Sequence, residues 1–305
     1  MRRRDFLAAV AAAPLLSAKN RIDMSRIAVL TDEVARSPAD AIAFARKYGV
    51  SWLELRGVPG GKGHYGHLPE AELKQAVKEF NDNGLKVSFL NTGFFKITLP
   101  GTEPVFRKPE TPEAREKRLA RHKLDFDQRK QKFEEAIRSA HILGVDKMRV
   151  FTFLRVEKPE SVFQQVADVI GEMAEIAAKE KIKIAVENEG ACNVVTCAET
   201  AAFVKLLPGK TVGINWDPMN GVAQKEPPYP DGYNLLPKKR LWNVQMKGHS
   251  LIDEQRRLDW RSIFDALDKD GYGGKVGLET HYFDGTLIEK SNQSMLEIRR
   301  ILEQS

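Results

Sequence analysis

The segment KIAVENE, residues 183–189, contains the pattern that decides the fold: a short apolar run ends in an acid, and a glycine soon follows. Three other runs in the second half of the chain have a similar form. Each carries a polar residue that could bind a metal ion. The four runs are Ile182 to Val186 ending at Glu187, Val212 to Trp216 ending at Asp217, Leu241 to Met246 carrying Gln245, and Lys275 to Leu278 ending at Glu279.

The acids at the ends of these runs require an explanation beyond packing. An unpaired buried carboxylate is costly, so it usually has a cation or hydrogen bonds as partners. Capping of the following helix explains one such acid on its own, but it explains three acids and a fourth polar strand much less well. We therefore expect the four strands to share a divalent metal ion.

Short apolar runs alternate with amphipathic stretches from residue 26 onward. This alternation is typical of repeated βα units and a parallel sheet. Eight units predict a single (β/α)8 TIM barrel of class α/β over residues 21–305. The predicted strands are Ile27–Thr31, Trp52–Leu55, Lys86–Asn91, Lys147–Thr152, Lys183–Glu187, Thr211–Asp217, Leu241–Lys247 and Lys275–Thr280.

Helix signals support the alternation. Ser37 and Pro38 suit the N-cap and first position of a helix that Gly49 ends. A long, highly charged stretch follows the third predicted strand, and we expect an inserted, solvated helical segment over about residues 100–128. Residues 220–237 are rich in proline, glycine and tyrosine, which predicts a long loop beside the barrel mouth.

The first twenty residues have the features of an export signal. Arg2, Arg3 and Arg4 precede an alanine- and leucine-rich stretch that runs to Ala18. We expect residues 1–20 to be a twin-arginine signal, which would place the mature protein in the periplasm or another extracytoplasmic compartment. The alternative is a frayed basic helix. Because the apolar part is too short to span a bilayer comfortably, we expect no stable membrane insertion after processing.

Charge and cysteine content exclude several classes of protein. The formal net charge is +6, and it falls to +3 when residues 1–20 are removed. This is too little to predict a nucleic-acid partner. Cys192 and Cys197 are the only cysteines, so a disulfide framework is not expected, although one local bridge stays open. The sequence is compatible with a monomer or a homo-oligomer.

The alternation of side chains along each strand predicts which residues face the barrel interior. In each of the last four predicted strands, bulky residues share one face, while polar and small residues share the other. The bulky face suits contact with the surrounding helices. Glu187, Asp217 and Glu279 are therefore predicted to point inward at the carboxyl ends of their strands, where active sites of this fold lie. Gln245 and Lys247 share this parity.

Four motifs occur in a fixed order: AVEN (185–188), NWDPMN (215–220), VQMK (244–247) and GLET (277–280). Together they resemble the xylose isomerase-like superfamily of sugar isomerases and epimerases, which also includes AP-endonuclease-like barrels. Each motif is weak alone, but their order and spacing are specific. The resemblance covers essentially the whole mature chain.

The resemblance implies one divalent ion, Mn, Mg, Co or Zn, held by Glu, Asp, His and Glu from strands five to eight. The corresponding positions are Glu187, Asp217, Gln245 and Glu279. Gln245 departs from the family pattern, because an amide carbonyl can bind a hard ion but lacks the affinity of imidazole for zinc. Three outcomes are open: Gln245 is a weaker ligand, His249 replaces it, or the site has lost its metal and binds sugar alone.

The resemblance also implies proton transfer at a carbon next to a carbonyl, through an enediolate of a free sugar or related polyol. Glu187 and Glu279 would then be catalytic acid/base groups as well as ligands. A small-molecule carbohydrate is the expected partner. The candidate substrate-binding residues are Glu54, Arg56, Lys96, Asn220, Lys247 and His281.

Two other functions stay open at this point. The same enediolate could expel a leaving group, which would make the protein a lyase or hydrolase of 3-keto sugars or glycosides. A sugar-binding barrel without catalysis is the third reading, and only Gln245 supports it. The DNA-repair branch of the superfamily is disfavoured, because its multi-metal site needs more histidines than these strands supply.

Overall fold

The computed structural model describes residues 21–106 and 108–303. Within them, parallel strands pair in chain order from β1 to β8, and β8 pairs with β1 to close the barrel. The prediction of a single (β/α)8 barrel is confirmed, and each strand ends within two residues of its predicted end. The strands are β1 Ile27–Leu30, β2 Trp52–Leu55, β3 Lys86–Leu90, β4 Lys147–Val150, β5 Lys183–Glu187, β6 Val212–Trp216, β7 Leu241–Lys247 and β8 Lys275–Glu279.

At least one helix follows every strand and packs on the outside of the barrel. The helices are α1 Pro38–Tyr48, α2 Glu70–Asp82, α3 Pro112–Asp127, α4 Arg129–Leu143, α5 Phe163–Lys179, α6 Cys197–Val204, α7 Pro218–Val222, α8 Tyr233–Leu235, α9 His249–Ile252, α10 Trp260–Lys269 and α11 Leu287–Glu303.

Local sequence explains where these helices begin and end. Oγ of Ser37 accepts a hydrogen bond from a backbone N–H of the first turn of α1, and Pro38 follows at the first helical position. Gly49 ends α1 with a left-handed φ of 67°, a conformation that favours glycine. Thr196 and Glu199 form a capping box that begins α6.

The two faces of each strand serve different purposes. Bulky residues such as Ile184, Trp216 and Leu278 belong to the hydrophobic core that the strands share with the helices. Residues of the opposite parity lie inside the barrel: Asn243 of β7 donates a hydrogen bond to Glu54 of β2. Since β2 and β7 are not neighbours in the sheet, this contact crosses the interior.

The chain between β3 and β4 contains helix α3, within the region where the sequence predicts an inserted charged segment. Oγ1 of Thr111 caps α3 by accepting a hydrogen bond of 3.2 Å from the N–H of Ala114. Most side chains of α3 are exposed, but Arg118 and His122 are buried. These two residues tie the helix to the loop that follows β3, because His122 accepts a hydrogen bond of 2.9 Å from the N–H of Thr98.

Three predictions concern features outside the barrel wall. The twin-arginine signal expected in residues 1–20 lies outside the described residues. In the part of the chain that is described, no helix is both long enough and apolar enough to cross a bilayer. Cys192 and Cys197 are buried free thiols, so the local bridge that the sequence left open is not formed.

Candidate active site

A cavity of about 1080 Å³ opens at the carboxyl ends of the strands. Glu187 of β5, Lys247 of β7 and Glu279 of β8 line it. Arg149 of β4 and Arg56, which follows β2, add two guanidinium groups to the same lining. The cavity thus brings acids and cations from five strands together at the face where the fold places active sites.

Glu187 is almost fully buried at the end of β5. Its Oε2 accepts hydrogen bonds from Nη1 of Arg149, at 2.9 Å, and from Nδ2 of Asn215, at 2.8 Å. Burial raises the pKa of Glu187 to about 7; Arg149 opposes the rise, and nearby acids including Glu279 add to it. Glu187 is therefore a carboxyl group that can take up and release a proton near neutral pH.

Asp217 is fully buried and forms an ion pair with Lys247. Nζ of Lys247 lies 2.9 Å from Oδ2 of Asp217 and donates a hydrogen bond of 2.6 Å to Oδ1 of Asn220. Burial alone would lower the pKa of Lys247, but Asp217, Glu279 and Glu189 outweigh it and hold that pKa above its usual value. Lys247 is consequently a charged ammonium at the base of the cavity.

Arg56 connects Glu279 to the acids that follow β1. Its Nη1 lies 3.0 Å from Oε1 of Glu279 and its Nε lies 2.9 Å from Oδ2 of Asp32; Glu33 is a third partner. Burial raises the pKa of Glu279, but His281, whose Nδ1 lies 3.7 Å from Oε1, and the nearby cations outweigh burial, so the pKa lies well below its usual range. Glu279 is therefore ionised, in contrast to Glu187.

Gln245 is fully buried, and a hydrogen bond to a side chain inside the barrel holds its amide group in place. Nε2 of Gln245 donates a hydrogen bond of 2.5 Å to Oε2 of Glu54. Asn91 donates to the same oxygen, and Asn243 donates to Oε1 of Glu54. Oε1 of Gln245 is buried and has no hydrogen-bond partner within the described residues. The carbonyl end of this amide is thus an acceptor without a donor.

The four candidate ligands, Glu187, Asp217, Gln245 and Glu279, have side-chain chemistry that suits the divalent ion that the family implies. Among the described residues, Oδ2 of Asp217 has its ion pair with Lys247 but no hydrogen bond, and Oε1 of Gln245 has no partner at all. Two acceptors with spare capacity suit a cation. Within the described residues, however, the side-chain oxygens of Glu187, Asp217 and Glu279 do not all lie within 4.8 Å of one another, so these side chains would have to move together to share one ion. Because every donor is an oxygen, the set favours a hard ion such as Mg²⁺ or Mn²⁺ over zinc.

Each of the three candidate carboxylates already has a cationic partner. Arg149 pairs with Glu187, Lys247 with Asp217, and Arg56 with Glu279. A bound ion would therefore compete with these groups, with Lys247 above all.

A second group of possible ligand atoms lies nearby, on Glu33, Glu279 and His281, all within 4.8 Å of one another. Arg56 already contacts both acids of this group. The guanidinium neutralises those acids, just as Arg149, Lys247 and Arg56 neutralise the acids around Gln245.

The remaining predicted residues fall into two groups. Lys96, Asn220 and His281 line the cavity, as does His249, whose ring centroid lies 6.3 Å from that of His281. Glu54 does not reach the cavity, because it is fully buried beneath Gln245. This position suits a role in orienting Gln245 and gives Glu54 no surface with which to touch a substrate.

Sequence reasoning missed two charged residues of the site. Arg149 lies within β4 and pairs with Glu187; a charged side chain between the apolar residues Met148 and Val150 was the available signal. Glu33 directly follows β1 and contacts Arg56, and its place after a strand end was a comparable signal. In both cases the partner comes from another strand, so the chain order alone does not identify it.

Three solved structures share this fold. D-Psicose 3-epimerase in the presence of D-fructose is 17% identical, with a TM-score of 0.65 over 92% of this chain and 98% of that one. 3-Keto-D-glucoside 4-epimerase from E. coli is 14% identical, with a TM-score of 0.62 over 90% and 99%. The IOLI protein with a bound zinc atom is 17% identical, with a TM-score of 0.63 over 92% and 98%. Identities this low show the shared fold alone.

Sequence comparison gives a family but no individual relative. No curated protein sequence matches this chain. The sequence model of the xylose isomerase-like TIM barrel family matches residues 42–303, which is most of the chain. This protein therefore belongs to the xylose isomerase-like TIM barrel family.

Proposed function

We propose that this protein is a metal-dependent sugar isomerase or epimerase that acts by proton transfer through an enediolate. The observation that carries the proposal is the pair of buried carboxylates, Glu187 and Glu279, in one cavity whose lining also holds Lys247, Asn220 and His281. Such groups bind sugar hydroxyls and leave two acids free to face the same substrate. The psicose and keto-glucoside epimerases that share the fold support this choice of chemistry.

Glu187, Asp217, Gln245 and Glu279 would hold the divalent ion, which when bound polarises the substrate carbonyl and the neighbouring hydroxyl. Glu187 then takes the proton from the carbon beside the carbonyl. The electrons of that C–H bond form the C=C bond of the enediolate, and the carbonyl oxygen becomes an oxyanion. Lys247 and Arg149 place positive charge near this oxygen.

Return of a proton to carbon completes the reaction. Delivery to the former carbonyl carbon, with movement of the neighbouring hydroxyl proton to the former carbonyl oxygen, gives an isomer. Delivery to the opposite face of the original carbon gives an epimer. The second outcome needs an acid on the other side of the substrate, which is the role we assign to Glu279.

A lyase that acts on a glycoside is the second candidate. Expulsion of a leaving group from the same enediolate would need room for that group, and the cavity has an apolar region beside the acids. The keto-glucoside epimerase shows that one protein of this fold acts on a glycoside.

Deuterium exchange tests the proposal. The protein is loaded with Mn²⁺ and incubated in D₂O with a panel of aldoses, ketoses and keto-glycosides, and NMR follows the label at carbon. Incorporation with interconversion of sugars supports the isomerase, whereas release of an aglycone supports the lyase. Sugar binding without any exchange would contradict both and leave a non-catalytic binding barrel.

We also propose that residues 1–20 export the protein by the twin-arginine route. Arg3 and Arg4 precede Phe6 and Leu7 at the start of the apolar stretch, an arrangement typical of such signals. A fluorescent reporter fused after residue 20 should reach the periplasm, and replacement of Arg3 and Arg4 by lysine should retain it. Retention of the unaltered fusion in the cytoplasm would contradict this proposal.

A further inference from the structure

The cavity has an apolar wall that the proposed proton transfer does not use. Its side chains come from the segments that follow β3, β4 and β6. They are Val105, Phe106, Leu154, Val156, Met219 and Val222.

Several of these side chains are unusually exposed for their size. Val105 is 60% exposed, Phe106 41% and Val222 40%. Isolated exposed apolar residues are common, but three that line one cavity beside polar groups are typical of a ligand-binding surface. The ligand that covers them must itself carry apolar surface.

The wall is held in place by the inserted segment. The guanidinium of Arg118, on α3, lies 4.8 Å from the centre of the Phe106 ring. Arg118 is only 9% exposed, and Glu110 holds it at 2.9 Å. The N–H of Val105 donates a hydrogen bond of 2.8 Å to the carbonyl of Arg155, which ties the segment to the loop after β4. Phe106 is thus presented to the cavity by a built support.

The size of the cavity also argues against a small ligand. Its volume of about 1080 Å³ lies just above the range, about 300–1000 Å³, of pockets that hold drug-sized molecules. A free monosaccharide is smaller and carries hydroxyls on nearly every carbon. It would occupy the polar floor and leave the wall in contact with water.

We propose that the substrate is a sugar with an apolar substituent, such as the aryl or alkyl aglycone of a glycoside, rather than a free sugar. The sugar ring lies on the floor beside Glu187, Lys247 and Glu279, and the substituent packs on the wall. This inference rests on the proposed carbohydrate function. Since a glycoside has no free carbonyl at its anomeric carbon, proton transfer on it needs an oxo group elsewhere on the ring.

Matched pairs of ligands test the inference. Calorimetry on the Mn²⁺-loaded protein compares 4-nitrophenyl and methyl β-D-glycosides of glucose, galactose and xylose, with 4-nitrophenol alone as a further probe. In at least one pair the aryl glycoside should bind at least tenfold more tightly than the methyl glycoside and than 4-nitrophenol. Phe106→Ala should reduce this preference to threefold or less and leave the affinity for the methyl glycoside unchanged.

Leu296→Ala is the matched control, because Leu296 is 59% exposed on α11 and does not line the cavity. The Leu296→Ala variant should keep the full preference for the aryl over the methyl glycoside. Equal affinity within every pair, no binding of any glycoside, or equal effects of the two variants would overturn the inference.

The two proposals fail separately. Deuterium exchange on free sugars, without tighter binding of aryl than of methyl glycosides, would contradict this inference alone. An aryl preference without exchange on any substrate would sink the proton-transfer function alone.

Discussion

Nε2 of Gln245 and Oε2 of Glu54 are 2.5 Å apart inside the barrel, although their strands, β7 and β2, are not neighbours in the sheet. Burial raises the pKa of Glu54, and the hydrogen bonds that its oxygens accept from the amides of Asn91, Asn243 and Gln245 oppose this rise. Because Gln245 donates to Glu54 through Nε2, the contact fixes which end of the Gln245 amide faces Glu54. The carbonyl oxygen is the end that stays without a partner in the described structure. Under the proposed function, Glu54 thereby orients Gln245 so that its carbonyl oxygen can bind the ion, at the position where the family resemblance implies histidine.

Glu54→Gln tests this arrangement. Glu54 accepts hydrogen bonds from the amides of Asn91, Asn243 and Gln245, and a glutamine side chain cannot accept all three in the same way. We expect the affinity for Mn²⁺ to fall at least tenfold, measured by calorimetry. The melting temperature should stay within a few degrees or rise, because replacement of a buried charge is often neutral or stabilising.

The exposed Glu72 of α2 provides the control for that substitution, as Glu72→Gln should alter neither quantity. Unchanged Mn²⁺ affinity in Glu54→Gln would show that Glu54 does not orient the ligand.

Lys247→Met should make stability depend more strongly on the metal. The substitution leaves the buried Asp217 carboxylate without its ion-pair partner, and loss of one partner of a buried pair costs about 3–5 kcal/mol. Thermal unfolding in EDTA should therefore show a lower melting temperature than the wild type. Mn²⁺ should raise the melting temperature more in the variant than in the wild type, because the ion no longer competes with an ammonium. The same metal-induced shift in both proteins would contradict the assignment of Asp217 as a ligand.

Glu187→Gln should abolish most proton transfer while it preserves the fold. Glutamine keeps the size of the side chain but cannot take a proton from carbon, and a general base contributes about 10²–10⁴-fold to rate. Deuterium incorporation should fall at least a hundredfold, with an unchanged circular dichroism spectrum. Glu175→Gln, on the exposed face of α5, should match the wild type. Retained exchange in Glu187→Gln would assign the base to another residue.

The half-buried His64 should make the protein sensitive to mild acid. Burial, followed by the nearby charges of His67, Arg149 and Arg56, lowers the pKa of His64 to about 4. The unfolded chain takes up this proton near pH 6.5, whereas the folded protein does not until about pH 4. The penalty on stability is thus absent above pH 6.5, grows as the pH falls and is complete below about pH 4.

The substitution His64→Gln removes this pH-dependent loss of unfolding free energy. Between pH 7 and pH 5 the wild type should lose about 2 kcal/mol more unfolding free energy than the variant. Urea unfolding at the two pH values measures the difference. Equal losses in the two proteins would mean that His64 is protonated in the folded state at pH 5.

The barrel and the inward parity of the acids were readable from the sequence, because period-two alternation and short apolar runs are local features. The cationic partners of those acids could not be predicted from the sequence. Arg56 was a candidate substrate-binding residue, and the sequence did not show that it contacts Asp32, Glu33 and Glu279; it lies beyond the end of β2 and reaches across to β1 and β8. Arg149 escaped notice for the same reason. Contacts between strands depend on barrel closure and side-chain rotamers, which one strand's pattern does not contain.

The support for the apolar wall was also beyond sequence reasoning. The charged insertion was expected to be a solvated surface, and most of α3 is exposed. Only the folded chain shows that Arg118 turns inward to hold Phe106.

Anomalous diffraction from crystals soaked in Mn²⁺ tests the central claim most directly. We predict one strong peak within about 2.0–2.6 Å of carboxylate oxygens of Glu187, Asp217 and Glu279 and of Oε1 of Gln245. No peak among these four side chains, or a single peak at Glu33, Glu279 and His281 instead, would contradict the account.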